Sequence, residues 1–206
     1  AWCCRLFERL PGSSLLLGRP AFWQLGLYYG LLIACLWTGK KRRGEKKSPV
    51  QKILPAATVF LLFPLPAKGL TVTFLDVGQG DGICLQTRQG VILSDCGSSD
   101  QKKLGELRLG PFLKSRGIKA VDYAIVSHGD QDHISGISWI LEQEEGIVIR
   151  KLVLPAAGKE DEACVRLAEQ AAFRGSRVLW MGKGDCLRMG DLSLTCLYPD
   201  IPKEGE

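Results

Sequence analysis

The chain has 206 residues, a formal net charge of +5 and 46% hydrophobic residues, enough for one good core or for a smaller domain plus a membrane segment. Charge is uneven: residues 1–69 carry 11 Lys/Arg against 2 Asp/Glu (+9), and residues 70–206 carry 16 against 20 (−4), which predicts two regions in different surroundings and gives no support to strong phosphate binding by the second alone. The 8 cysteines include no C-x-x-C pair; they read as scattered buried thiols and speak against a cysteine-built zinc site.

The chain starts at Ala1 and its first methionine is Met181, so it is expected to be an internal piece of a longer protein. Residues 6–19 read as a helix end or loop broken at Pro11-Gly12-Ser13-Ser14. Residues 21–37 carry no charge and have Phe22, Trp23 and Trp37 at their ends; this predicts a membrane helix at the lower limit of length, with a buried core helix as the alternative. The basic loop at 40–47 holds six Lys/Arg. It reads as a solvated loop or a nucleic-acid tail, and after a membrane span it is the kind of segment that stays in the cytoplasm. Residues 53–67 are apolar again but short, and Pro55, Pro64 and Pro66 interrupt them. They are a second candidate span, flanked by Lys52 and Lys68; if they cross, everything after Gly69 lies outside the cytoplasm.

From Leu70 the pattern becomes that of a folded α/β domain, 70–206. Strands are predicted at 70–75, 83–87 and 91–93, with a glycine-rich turn from Asp76 to Gly82 and a hairpin signal at Gln89-Gly90. Residues 99–109 read as loop, 111–116 as a short helix and 121–126 as one buried strand. Helices are expected at 136–145 and 160–174, strands at 151–154 and 177–181, and a hairpin at 186–197 around Gly190-Asp191. Strands first in a hairpin and then alternating with helices predict a sheet covered by helices.

The strand at 121–126 runs into Ser127-His128-Gly129-Asp130-Gln131-Asp132-His133-Ile134-Ser135-Gly136, which contains both histidines of the chain. His128, Asp130, Asp132 and His133 are candidate metal ligands. At this spacing they cannot all face one point from a regular helix or strand, so the reading places them in an irregular loop made possible by Gly129 and Gly136. Imidazole and carboxylate donors suit Zn²⁺, Mn²⁺ or Fe²⁺, and an open site of that kind activates water for hydrolysis. Asp132 is the candidate for orienting that water. Two other predicted strands also end in Asp beside Gly, at Asp76 to Asp81 and at Asp95, as if aimed at the same rim. Read without a metal, the cluster is a polar loop capping the next helix through Ser135, and the aspartates are turn residues bonded to their own backbone.

The cluster resembles the H-x-H-x-D-H motif of the metallo-β-lactamase fold, with Asp130 at the second histidine position. Together with Leu75-Asp76-Val77-Gly78-Gln79-Gly80-Asp81 and Ile92-Leu93-Ser94-Asp95-Cys96-Gly97, it makes residues 70–199 similar to the C-terminal domain of the ComEC family, the DNA-internalisation channel of natural competence. Pro11-Gly12 and Leu27-Tyr28-Tyr29 resemble the end of that family's membrane competence region.

The resemblance implies the first half of a metallo-β-lactamase-type αββα sandwich preceded by one or two transmembrane helices. It implies His128, Asp130 and His133 as ligands of one divalent ion, Zn or Mn, with Asp132 on a second ion and catalytic. Asp95 supports the site, and Asp76, Gln79 and Asp81 line its rim. It further implies incoming DNA and other competence proteins as partners, a multi-pass location in the cell membrane with the domain on the extracytoplasmic side, and a nuclease-type phosphodiesterase activity. Asp130 in place of histidine implies a weaker or differently selective first metal site. The family's second half, with a further aspartate and a His-His-Gly-Ser segment, does not follow, so the chain by itself is expected to be inactive and poorly stable. A non-catalytic DNA-channel component and a metallo-β-lactamase-fold hydrolase of esters or thioesters are the alternatives.

Overall fold

The computed structural model describes residues 16, 18–41, 53–57, 60, 69–144 and 146–198. It contains two compact units, Ala1–Leu65 with Ser115–Gly117, and Pro66–Lys114 with Ile118–Glu206.

In the first unit, helix α1 (Phe22–Lys41) has 20 residues, about 30 Å of length. It covers the first candidate span, but Gln24, Gly26, Tyr28, Tyr29 and Gly30 dilute its apolar character. No helix among the described residues is long and apolar enough to cross a membrane, so the expected span at 21–37 is present as a helix but is not shown to be a span. Of the second candidate span, residues 53–57 are helical, while 58, 59 and 61–67 lie outside the described residues, as does most of the basic loop.

The second unit is built on a six-stranded sheet. Its strands are β1 (Thr71–Phe74), β2 (Gly82–Gln86), β3 (Val91–Asp95), β5 (Tyr123–Ile125), β7 (Lys151–Pro155) and β8 (Arg177–Met181), in the order β1-β2-β3-β5-β7-β8. β2 runs antiparallel to both β1 and β3; β3, β5, β7 and β8 are mutually parallel. Thus β1, β3 and β5 point the same way and end at one edge, the edge where open α/β sheets bind ligands. Two short strands, β4 (Ala120–Val121) and β6 (Val148–Ile149), pair separately.

Both faces of the sheet are apolar, as the period of two in its strands requires. Leu93, Ala124, Leu152 and Leu154 face helices α3 (Gln131–Gln143) and α4 (Glu162–Phe173), whose Ile137, Ile140, Leu141, Cys164, Leu167 and Ala171 complete the main core. Each fully buried Leu or Ile contributes about 1.5–3 kcal/mol. On the opposite face, Ile92, Tyr123 and Val153 pack with Met189, Leu187 and Leu194 of the hairpin β9 (Cys186–Met189) and β10 (Leu192–Thr195). That face is therefore covered in part by the chain's own hairpin, while Phe74 on β1 stays 76% exposed.

Several elements depart from the sequence reading. The expected strand 121–126 is broken at Asp122, whose carboxylate accepts the Val91 N–H at 2.9 Å and pairs with Arg150 at 2.6 Å. Residues expected as loop contain a π-helical turn, Gly105–Leu109, that leads into α2 (Gly110–Ser115). The Trp139 ring lies so close that a Cβ on Gly105 would fall 2.2 Å from it, and only glycine lets helix and ring approach in this way. A 3-10 turn, Ala156–Glu160, precedes α4. The α4 N-cap is Asp161, which accepts from Ala163 N at 2.7 Å and Cys164 N at 3.1 Å, a cap that contributes about 1 kcal/mol.

Candidate metal centre

Three loops leave the edge where β1, β3 and β5 end. The loop after β5 begins with Ser127 and His128 and passes through Gly129 to Asp130. The Asp130 carbonyl accepts the N–H groups of His133 and Ile134 at 3.0 and 3.1 Å, which starts α3 at Gln131, well before the expected position. Asp132 and His133 therefore sit in the first turn of a helix, and the expectation of a single irregular loop is corrected. An acidic side chain in a first helical turn faces the positive end of the helix dipole.

Among the described residues, His128, Asp132 and His133 each present a donor atom within 4.8 Å of the others. Their geometry is set locally: the two imidazole rings pack with centroids 3.9 Å apart, and His133 Nε2 lies 3.6 Å from Asp132 Oδ2. Asp130 stands beside this set, 77% exposed, with Oδ2 3.4 Å from His128 Nε2. Ser135, weighed as a helix cap, lies inside α3; its hydroxyl accepts from Ser98 N at 2.9 Å and so ties the helix to the loop after β3.

That loop opens with Asp95 in the left-handed backbone region at φ +52, a conformation that Asp tolerates better than most side chains. The turn aims its carboxylate at the neighbouring strand end. Asp95 Oδ1 accepts the Ser127 N–H at 2.9 Å and the Ser127 hydroxyl at 3.1 Å, and lies 3.5 Å from His133 Nδ1. Both side chains are sheltered, with Asp95 14% and His133 12% exposed.

The turn after β1 supplies the rest of the rim. Asp81 Oδ2 is 3.7 Å from His133 Nδ1. Gln79 acts through its backbone: its N–H donates to Asp100 Oδ1 at 3.0 Å and its carbonyl accepts from Ser99 N at 2.8 Å. The Ser98 hydroxyl, 2.7 Å from the same Asp100 oxygen, and then the Gln79 N–H hold the Asp100 carboxyl below its ordinary pKa. Asp76 turns outward instead and pairs with Arg108. Asp100 and Ser127 are site-shaping residues that sequence reading passed over, since a serine or aspartate beside glycines is the ordinary composition of a turn.

The donor set fits a divalent cation. Two imidazoles and one carboxylate converge at a strand end, and His128 and His133 each have Nε2 within 3.4–3.6 Å of a carboxylate oxygen, a crowding of electron-rich atoms that a cation between them relieves. Nitrogen and oxygen donors with three protein ligands suit an open zinc or manganese site. Cys96 adjoins Asp95, but burial, reinforced by Cys84 and Asp95, pushes its thiol far above the ordinary range; it stays protonated and inert. His128 also faces a groove of about 800 Å³ between the sheet and the β9–β10 hairpin, lined by Phe74, Ile125, Val153 and Leu194.

Comparison with known proteins agrees with this architecture. The family model of the metallo-beta-lactamase superfamily matches residues 75–195. ComE operon protein 3 of Bacillus subtilis is 28% identical over 221 residues, covering 98% of this chain and 28% of its own length. Recombination protein 2 of Haemophilus influenzae is 37% identical over 91 residues, covering 44% of this chain and 11% of its own. The chain thus spans little more than a quarter of the first relative and about a tenth of the second. Among solved structures, the metallo-beta-lactamase fold protein YhfI from Bacillus subtilis aligns over 62% of this chain and 55% of its own, with TM-score 0.43 and 19% identity. A metallo-beta-lactamase bound to 2-mercaptoethanesulfonate aligns over 64% and 53%, with TM-score 0.42 and 20% identity. With the superfamily match covering more than half of the chain and a histidine-aspartate cluster at its strand edge, the chain belongs to the metallo-beta-lactamase superfamily, as a ComEC-like domain of it.

Proposed function

We propose that this chain is part of a membrane channel for DNA uptake in natural transformation, and that residues 70–206 contribute a metal-dependent phosphodiesterase domain acting on the incoming DNA. The observation that carries the hydrolytic part is the convergence of His128, Asp132 and His133 within 4.8 Å at the strand edge. The uptake part rests on the similarity to ComE operon protein 3, which extends over 98% of the chain and so takes in the basic, apolar first region as well. In this reading residues 21–37 and 53–67 belong to a multi-pass membrane region, the basic loop 40–47 is cytoplasmic and the domain is extracytoplasmic. Partners are DNA and other proteins of the competence machinery.

His128, Asp132 and His133 are the proposed holders of a divalent ion, Zn or Mn. Such an ion, when bound, polarises a phosphoryl oxygen and makes water acidic enough to attack near neutral pH. The chain's own residues then divide the work. Asp132 orients the attacking water, Asp95 keeps His133 in place, and Asp81 forms the wall facing His133. Asp130, exposed beside His128, is a further candidate ligand for the same ion or a second one.

The test is made in the complete reading frame that carries this chain, with Asp132→Ala against the parent. Expected is loss of Mn²⁺- or Zn²⁺-dependent release of nucleotides from donor DNA together with loss of productive uptake. Unchanged uptake in Asp132→Ala would instead assign the domain a non-catalytic role in the channel. Cleavage of ester or thioester substrates without cleavage of DNA would assign it to another hydrolase class of the same fold.

A further inference from the structure

Resting on the reading of His128, Asp132 and His133 as a metal centre, we infer that Ser127 is a positioning residue that sets the tautomer of both imidazoles. It keeps a proton on Nδ1 of His128 and of His133, so that both Nε2 lone pairs are left for a cation.

The inference follows from the capacity of one hydroxyl. Ser127 Oγ has three polar neighbours: Asp95 Oδ1 at 3.1 Å, His128 Nδ1 at 2.9 Å and His133 Nδ1 at 3.3 Å. A hydroxyl has one proton to donate and two lone pairs to accept with. A carboxylate only accepts, so the proton goes to Asp95, where the Ser127 backbone N–H already arrives at 2.9 Å and anchors the residue. With its proton committed, Oγ is satisfied only if each ring nitrogen beside it donates. Both Nδ1 atoms therefore carry hydrogen.

On its Nδ1 side the surroundings of His133 point the same way, while the acceptor nearest its Nε2 is Asp132 Oδ2 at 3.6 Å, the carboxylate placed on the same ion. His133 Nδ1 lies 3.5 Å from Asp95 Oδ1 and 3.7 Å from Asp81 Oδ2, and an unprotonated nitrogen would face three electron-rich atoms. At His128 the competing acceptor is Asp130 Oδ2, which meets Nε2 at the longer 3.4 Å and is 77% exposed, so water replaces that contact at little cost. Metal-binding histidines are commonly oriented by a partner on their second nitrogen, and loss of that partner costs about 10–100-fold in metal affinity. Here one serine at the end of β5 serves two rings at once. Threonine would keep the hydroxyl; alanine would release both rings.

Because the chain contains only 2 histidines, the full chain labelled with ¹⁵N-histidine and freed of metal shows two imidazole spin systems in a long-range ¹H–¹⁵N correlation spectrum at about pH 8. Expected in the parent is the Nδ1–H pattern for both rings. Ser127→Ala returns at least His128 to the Nε2–H form favoured by free imidazole, and Ser127→Thr keeps the parent pattern. In a competition titration of Zn²⁺ against a chelating dye, Ser127→Ala binds about 10–100-fold more weakly and Ser127→Thr close to the parent. An Nε2–H pattern at either ring of the parent overturns the inference whether or not the alanine variant folds, as does a parent-like pattern in folded Ser127→Ala. A parent that shows Nδ1–H at both rings yet binds no Zn²⁺ overturns the metal reading and leaves the tautomer assignment standing.

Discussion

Asp81 donates its backbone N–H to the Asp132 carbonyl at 3.1 Å and accepts from Gly97 N at 3.0 Å, so one residue fastens the turn after β1 both to the first turn of α3 and to the loop after β3. Three loops far apart in sequence thereby share one backbone junction. The side chains at the rim, Asp81, Asp95, Asp132 and His133, depend on it for their relative positions.

Gly80→Ala tests that junction. A Cβ on Gly80 would lie 2.3 Å from the Gly97 carbonyl oxygen and 2.6 Å from that of Asp132. Both are backbone atoms, with no side chain able to swing away, and the φ of +156 disfavours any Cβ. The expected cost is about 1–3 kcal/mol, read as a lower urea midpoint with an unchanged slope. Zn²⁺ affinity falls with it, because Asp132 and His133 are displaced together. An unchanged midpoint would mean that the loops are not pressed together as described.

Ligand identity separates Asp132 from Asp130. Asp132 shares the 4.8 Å cluster with both histidines, whereas Asp130 meets only His128 Nε2, at 3.4 Å, from an exposed position. A ligand that binds only the folded state raises stability in proportion to the logarithm of its concentration over Kd. Zn²⁺ is therefore expected to raise the melting temperature of the parent, of Asp130→Ala by nearly as much, and of Asp132→Ala by much less. An equal loss in the two variants would make Asp130 a full ligand alongside Asp132, as in the family resemblance, which places Asp130 on the ion of the two histidines and Asp132 on a second one.

Glu144 gives the folded domain an acid-sensitive contact remote from the rim. Its side chain is 8% exposed and lies 2.6 Å from Lys114 Nζ, and it accepts the Gly146 N–H at 2.8 Å. Burial opposes its ionisation, but the Lys114 and Gly146 bonds outweigh burial and its pKa is lowered on folding. A carboxyl with a depressed folded pKa contributes stability that is fully present above its unfolded pKa and is lost as pH falls through the folded one. Glu144→Gln should therefore cost about 1–2 kcal/mol near neutral pH, with the difference from the parent shrinking on acidification. Urea midpoints from about pH 7 to about pH 3 check this; a gap that widened in acid would reverse the sign.

The strands and the helix faces could be read from periodicity because burial alone decides them: Leu93, Leu152 and Ile137 are apolar at positions that the sheet and α3 must bury. The metal candidates could be read because His and Asp crowded after a buried strand are unusual. What could not be read depends on contacts between distant residues. Asp122 breaks its strand because Arg150 and the Val91 N–H are waiting for it. The π-helical turn exists because Trp139 occupies the space above Gly105. The early start of α3 moved Asp132 and His133 from loop to helix, and it is held by bonds to residues some forty positions upstream, Gly136 N to the Cys96 carbonyl at 2.8 Å among them. Ser127 had no mark at all in the sequence; only the three atoms around its hydroxyl distinguish it.

Thiol reactivity tests whether the centre is built from nitrogen and oxygen alone. Cys186 is exposed, and hydrogen bonding to the Ser193 hydroxyl at 3.0 Å is the main cause that lowers its pKa. Burial, then the charges of Asp161 and Asp130, pushes Cys164 up to about 11, and Cys96 is pushed higher still. Since the thiolate is the reactive form, iodoacetamide at mildly alkaline pH should label Cys186 well before Cys84, Cys96 or Cys164, which should react only as the domain unfolds. Peptide mass spectrometry resolves the sites. Zn²⁺ should leave the rate at Cys186 unchanged, because that residue lies on the β9–β10 hairpin and outside the His128, Asp132 and His133 cluster. Cys96 is the sharper probe: it adjoins Asp95 in the chain, so labelling of Cys96 in the folded protein that Zn²⁺ suppressed would put a thiolate in the cation's shell and contradict the donor set argued from the geometry.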